Sequence, residues 1–163
     1  MKYTGYDQTA TDRLKGTERF VELCRKRWGF QNLGTWVVRK MRNGSGMSVH
    51  ATGRAADIGF PNTAEGRADA VQAMQWFIKY YKELGIEEVH DYSGLTKKGC
   101  EEWGRGWRCD RKGKPGWKDW TADDNGGSAG AHWIHVELAP ASNGGFAEDD
   151  VALEAAWRAF PKP

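Results

Sequence analysis

Three of the four histidines in this 163-residue chain sit in two short motifs, SVHATGRAAD at residues 48–57 and HWIH at residues 132–135. Such economy favours one site built from both. A zinc ion at a catalytic centre takes three nitrogen or oxygen ligands and keeps a fourth position for water. His50, Asp57 and His135 supply two imidazoles and one carboxylate, a sufficient set. The gap from His50 to Asp57 is too long for one helical turn, and Gly53 within it lets the backbone reverse before a strand that carries Asp57. On spacing alone a second reading stays open, in which His50 is a loop histidine and Asp57 a surface or capping carboxylate.

The length suits one domain, 1–163, with a single core. Apolar residues at three- and four-residue intervals predict an amphipathic helix over residues 17–28, ending at Gly29. The run TWVVRKM predicts a strand over residues 36–41, and a second is expected over residues 55–60. A longer helix begins near the capping oxygens of Asn62 and Thr63 and closes at Gly85. Strands follow over residues 86–92 and 133–138, and a last helix over residues 149–160. Together these predict an α+β fold, a small antiparallel sheet with helices packed on one side and the zinc in an open cleft. Residues 93–131 hold nine glycines, four tryptophans and a basic cluster without sustained periodicity, and read as a Gly/Trp-rich insertion, a long loop walling a cleft or simply solvated.

Composition excludes more than it selects. Lysine and arginine number 24 against 22 acidic residues, too even to call for nucleic acid or an acidic partner. The basic, tryptophan-rich loop leaves a single-stranded nucleic-acid surface only as a weak third reading. The N-terminus has no apolar core of signal-peptide length, and no stretch is long and apolar enough to span a membrane, so the chain is expected to be made in the cytoplasm without membrane insertion, as a monomer. Cys24, Cys100 and Cys109 form no CxxC pattern, and a Cys100 to Cys109 bridge is open. Nine tryptophans suit a core or an aromatic-lined cleft, the core being the plainer reading.

Residues 48–57 match the signature SxHxxGxAxD at every fixed position: Ser48, His50, Gly53, Ala55 and Asp57. The chain thereby resembles the D-Ala-D-Ala carboxypeptidase and L-Ala-D-Glu endopeptidase family of zinc peptidases, in the wider group that includes lysostaphin and the hedgehog signalling domain. The resemblance implies that His50 and Asp57 bind Zn2+ and that His135, in HisValGlu at residues 135–137, is the third ligand. It extends more loosely from Leu33 to Leu138 and does not cover residues 93–131.

Family members place the catalytic base two or three residues before the last ligand, where this chain has Trp133 and His132. His132 can accept a proton near neutral pH and is the first candidate, provided the strand begins after it, since alternation otherwise sends it to the opposite face from His135. Glu137 shares the face of His135, as base or as hydrogen-bond partner of a ligand. Asp123 and Asp124 are further candidates. Arg39, with Arg42 as competitor, matches the region where the family holds a substrate carboxylate or carbonyl. Ser48 bonds either to the site or to its own loop, and His90 reads as a strand histidine rather than a ligand.

The resemblance implies a peptidase whose partner is bacterial peptidoglycan, and the absence of a secretion signal suggests a bacteriophage endolysin acting at the cell wall, or a module of a larger lysin. The tail AlaPheProLysPro suits the start of a linker. A second class of function is a zinc-containing wall-binding module without turnover, which the missing acidic base supports.

Overall fold

The computed structural model describes residues 1–41, 44–97, 103–121, 124 and 130–161. Its centre is one antiparallel sheet of six strands: β1 (Gln31–Gly34), β2 (Ala55–Gly59), β3 (Ile86–Asp91), β4 (Arg105–Arg108), β5 (Gly116–Asp119) and β6 (Trp133–Leu138). Their order across the sheet is β1-β2-β6-β3-β4-β5, so the last strand in the chain lies between β2 and β3. That insertion sets the register Asp57↔His135 on one side of β6 and His90↔His135 on the other.

Helices α1 (Lys15–Trp28), α2 (Ala64–Lys79), α3 (Tyr81–Leu84) and α4 (Asp150–Ala159) complete the fold, which is α+β as expected. Gly29 ends α1 in the left-handed conformation, where its N–H bonds the Arg25 carbonyl. Thr63 caps α2, its hydroxyl accepting from Gly66 N. The helix expected to run on to Gly85 breaks at Tyr80, and the short turn α3 carries the chain to its glycine cap.

Alternation divides the sheet into a core face and a cleft face. Ala56, Ile58, Ile134, Val136, Leu138, Val89 and Trp107 pack with Phe20, Phe77 and Trp157 of the helices. A bulge in β3 absorbs Glu87, so Ile86 and Val89 both reach the core while Glu88 and His90 share the other face with Glu137 and His135. Trp28, Trp76, Trp107 and Trp157 are buried in the core, as the core reading expects, whereas Trp120, also buried, packs against His90 of the cleft face.

Two expectations fail. Residues 36–41 form no strand: their one ladder contact is an isolated bridge, Lys40↔Met47, and Val37, Val38 and Met41 are exposed. β-branched content is not enough when the segment bonds only the returning chain at Gly46, Ser48 and His50 and the edge position beside β2 is taken by β1. Residues 93–131 are not a structureless loop either, because β4 and β5 pair within them and extend the sheet. Glycines and arginines at alternate positions hid that hairpin. Cys24 and Cys109 are buried, and Cys100, with the pairing suggested for it, lies outside the described residues. No helix among the described residues is long and apolar enough to cross a membrane.

Candidate metal centre

His50, Asp57 and His135 come together. Ser48 starts the turn that carries His50, its hydroxyl accepting from His50 N at 3.4 Å, and a 3-10 turn follows over Val49–Thr52. Gly53, at φ 72°, reverses the chain and donates to the His50 carbonyl, so that Arg54 leads directly into β2. This is the ligand, turn, strand arrangement expected of the motif. Asp57 then stands beside His135 as its cross-strand partner. One donor atom from each of the three residues lies within 4.8 Å of the others, a group that can hold a metal ion.

His135 is oriented by two carboxylates: Nδ1 faces Asp57 Oδ1 at 2.8 Å and Nε2 faces Glu137 Oε1 at 3.0 Å. Nδ1 is therefore the nitrogen turned toward Asp57, and Glu137 holds the other, as outer partners of metal-ligating histidines do. Burial works against a charge on His135, but the bonds to Asp57 and Glu137 prevail and hold its pKa well above the ordinary histidine value. Burial likewise pushes the Asp57 carboxyl up, and His135 and His50 hold it far below the usual carboxylate range. A cation held by this group would displace a proton from His135.

His50 supplies the clearest test of fit. Its Nε2 is 3.2 Å from Asp57 Oδ2, a distance suited to an ion pair, yet the direction suits no hydrogen bond. The directional criterion decides between these, because hydrogen bonds weaken steeply off axis. Both ring nitrogens are buried without a hydrogen-bond partner, in a side chain only 4% exposed. A nitrogen close to a carboxylate oxygen but not directed at it fits a pair of ligands to a common cation. Two imidazoles and a carboxylate are the donor set that zinc takes.

The three residues line a cleft of about 330 Å3 together with Arg39, Glu88, His90 and Glu137. His90 stacks on His135, with ring centroids 4.9 Å apart, and its Nε2 is 3.3 Å from Glu88. Burial raises the Glu88 carboxyl, but His90, Arg108 and His135 bring it down to about 2. Alternation along GluGluValHis placed Glu88 and His90 on the face of the site, a signal that reading His90 as a strand residue left unused. Asp124 also lines the cleft, held by Lys118 and Thr121. A larger groove of about 800 Å3 between α1 and α4 is lined by charges such as Arg19, Glu22 and Glu154, which pair with one another and offer no metal-binding set.

His132 does not join the cleft. β6 does begin after it, at Trp133, but the imidazole is exposed, 3.4 Å from the Gly130 carbonyl, and is not among the residues lining the cleft. Its carbonyl, not its ring, contributes to the fold by accepting from Phe60 N. Arg39 does line the cleft, from an irregular segment rather than a strand. Arg42 and Asp123 lie outside the described residues. No family model matches the chain, and neither does any curated protein or solved structure.

Proposed function

We propose that the chain is a zinc-dependent peptidase that hydrolyses an amide bond in the peptide stem or cross-link of bacterial peptidoglycan, of the kind a phage lysin brings to the cell wall. The observation that carries the reading is the His50–Asp57–His135 group with buried, unpartnered His50 nitrogens in an open cleft. Zinc in that group would polarise a carbonyl and make water a stronger acid. The chain's own residues supply the rest. Glu137 holds His135 in place. Arg39 can hold a substrate carboxylate or steady the oxygen that gains charge as the carbonyl is attacked. The proton released by the attacking water needs an acceptor inside the cleft. His90, Glu137 and Asp124 are there, whereas His132 is not.

Mass spectrometry of peptidoglycan after digestion tests the reading. Wild-type protein should release fragments with new amino termini, and metal-stripped protein and Asp57→Ala should release none. Among His90→Gln, Glu137→Gln and Asp124→Asn, each compared at saturating zinc, the variant that cuts least carries the proton transfer.

A second reading, a zinc-containing wall-binding module without turnover, is favoured by one feature. Both Glu137 oxygens are already engaged, by His135 and by Tyr3, while His132 lies outside the cleft. It predicts bound zinc and affinity for cell walls with no fragments released.

A further inference from the structure

We propose that Tyr3, in the N-terminal segment that crosses the sheet, is a positioning residue of the metal centre, acting through Glu137 on the ligand His135. The inference rests on the metal reading of His50, Asp57 and His135. Glu137 is 4% exposed and bonds His135 through one carboxylate oxygen. A carboxylate anchored by one oxygen can still rotate, and the imidazole it orients turns with it. Its other oxygen is held by the Tyr3 hydroxyl, which donates to Oε2 at 2.9 Å. The chain of contacts is Tyr3 to Glu137 to His135 to Asp57, each link between 2.8 and 3.0 Å.

Tyr3 is itself fixed on three sides. Its N–H bonds Asp110, and the next residue bonds the buried Glu87 through backbone and side chain. The Arg108 guanidinium lies over its ring at 3.8 Å from the centroid, and the same guanidinium bonds Glu88. Gly5, at φ 61°, folds the chain back so closely that a Cβ there would stand 2.9 Å from the ring. Burial, then the negative Glu137, push the phenol well above its ordinary pKa, so it remains a donor. A ring clamped from three directions, with its hydroxyl on the carboxylate that orients a ligand, does more than fill space.

Tyr3→Phe keeps the ring beneath Arg108 and deletes only the donor. Zinc affinity, read by competition with a chromogenic chelator, should fall about 3- to 10-fold, less than the roughly 10- to 100-fold expected for Glu137→Gln, which touches the ligand directly. The absorption of cobalt in the same site should shift in both variants. In the double variant Tyr3→Phe adds nothing to Glu137→Gln, because the two lie on one path. Unchanged affinity in Tyr3→Phe overturns the proposal, and so does an additive loss in the double variant. A fall in the metal-free melting temperature with affinity intact shows a purely structural tyrosine. Wild-type protein that binds no zinc removes the metal reading, and this one with it.

Discussion

Two clusters of buried charge lie side by side in this fold and are built on opposite plans. Arg54 and Glu87 are 2% and 0% exposed, and their partners come from the chain itself. Arg54 donates to the carbonyls of Leu138 and Gly5 and to Asp7, while Glu87 accepts from Thr4 and from Asn143. No side-chain atom of either is buried without a partner among the described residues. His50, Asp57 and His135 form a second group, in which the two histidines are buried and Asp57 is partly exposed, and both His50 nitrogens lack a hydrogen bond. An unpaired buried polar group costs about 1–3 kcal/mol, so it persists where something outside the chain answers it. The first cluster is a clamp that ties the N-terminal segment to the sheet, and the second is a group that can hold a metal ion.

The clamp should show the largest effect on stability. Glu87→Ala takes the common acceptor from Thr4 and Asn143 and removes a carboxylate 3.7 Å from the Arg54 guanidinium, which keeps Asp7, and breaking a buried, hydrogen-bonded charge cluster from one side costs about 3–5 kcal/mol. Urea unfolding of metal-free protein measures it. A loss below about 1 kcal/mol would dissolve the contrast, since the clamp would then be as dispensable as a surface pair.

Zinc should matter next. At a free zinc concentration 100 times the dissociation constant the folded state gains about 2.7 kcal/mol, because the group assembles only in the folded chain. For a chain of this length that is a rise of roughly 5–11 °C in melting temperature, abolished by chelator. Glu87→Ala starts lower and should rise by a similar amount. A metal that stabilises the clamp variant far more than wild type would show the two clusters to be one.

The sharpest form of the comparison is a substitution that harms the site and spares the fold. His50→Leu removes two unpartnered nitrogens and keeps similar bulk. Metal-free stability should therefore stay within about 1 kcal/mol of wild type, as when buried polar groups give way to apolar ones of similar shape. Zinc affinity should drop by more than the roughly 100-fold that loss of an outer partner costs. A large loss of metal-free stability would mean that the His50–Asp57 contact is a structural bond.

What could be read in advance follows the same division. The SxHxxGxAxD motif placed His50, Gly53 and Asp57 because a turn and a strand have local signatures, and HisValGlu placed His135 and Glu137 by alternation. Arg54 occupies a variable position inside that motif, and charged residues are ordinarily exposed, so nothing in the order of residues marks it as buried. Tyr3 and Glu87 were silent for the same reason: each has its place through partners far along the chain. Glu88 and His90 were legible in principle, since they alternate on β3, but their face is known only once β6 is seen to lie beside it. The hairpin β4–β5 was hidden by Gly106 and Gly116, which weaken any strand pattern.

The smallest effect expected belongs to His132, the first candidate for the base in the sequence. His132 precedes His135 by three positions, and a histidine there invites a catalytic role. In the fold its ring is exposed while its carbonyl accepts from Phe60 N, so the position serves β6 through its backbone. His132→Ala keeps that carbonyl. Stability should change by less than about 0.5 kcal/mol, as for surface substitutions away from special features, and zinc affinity by less than about twofold. Peptidoglycan digestion, if the chain performs it, should continue at a rate close to wild type. Loss of digestion in His132→Ala with zinc content intact would restore this imidazole as the proton acceptor and require the segment before Trp133 to fold inward when substrate binds.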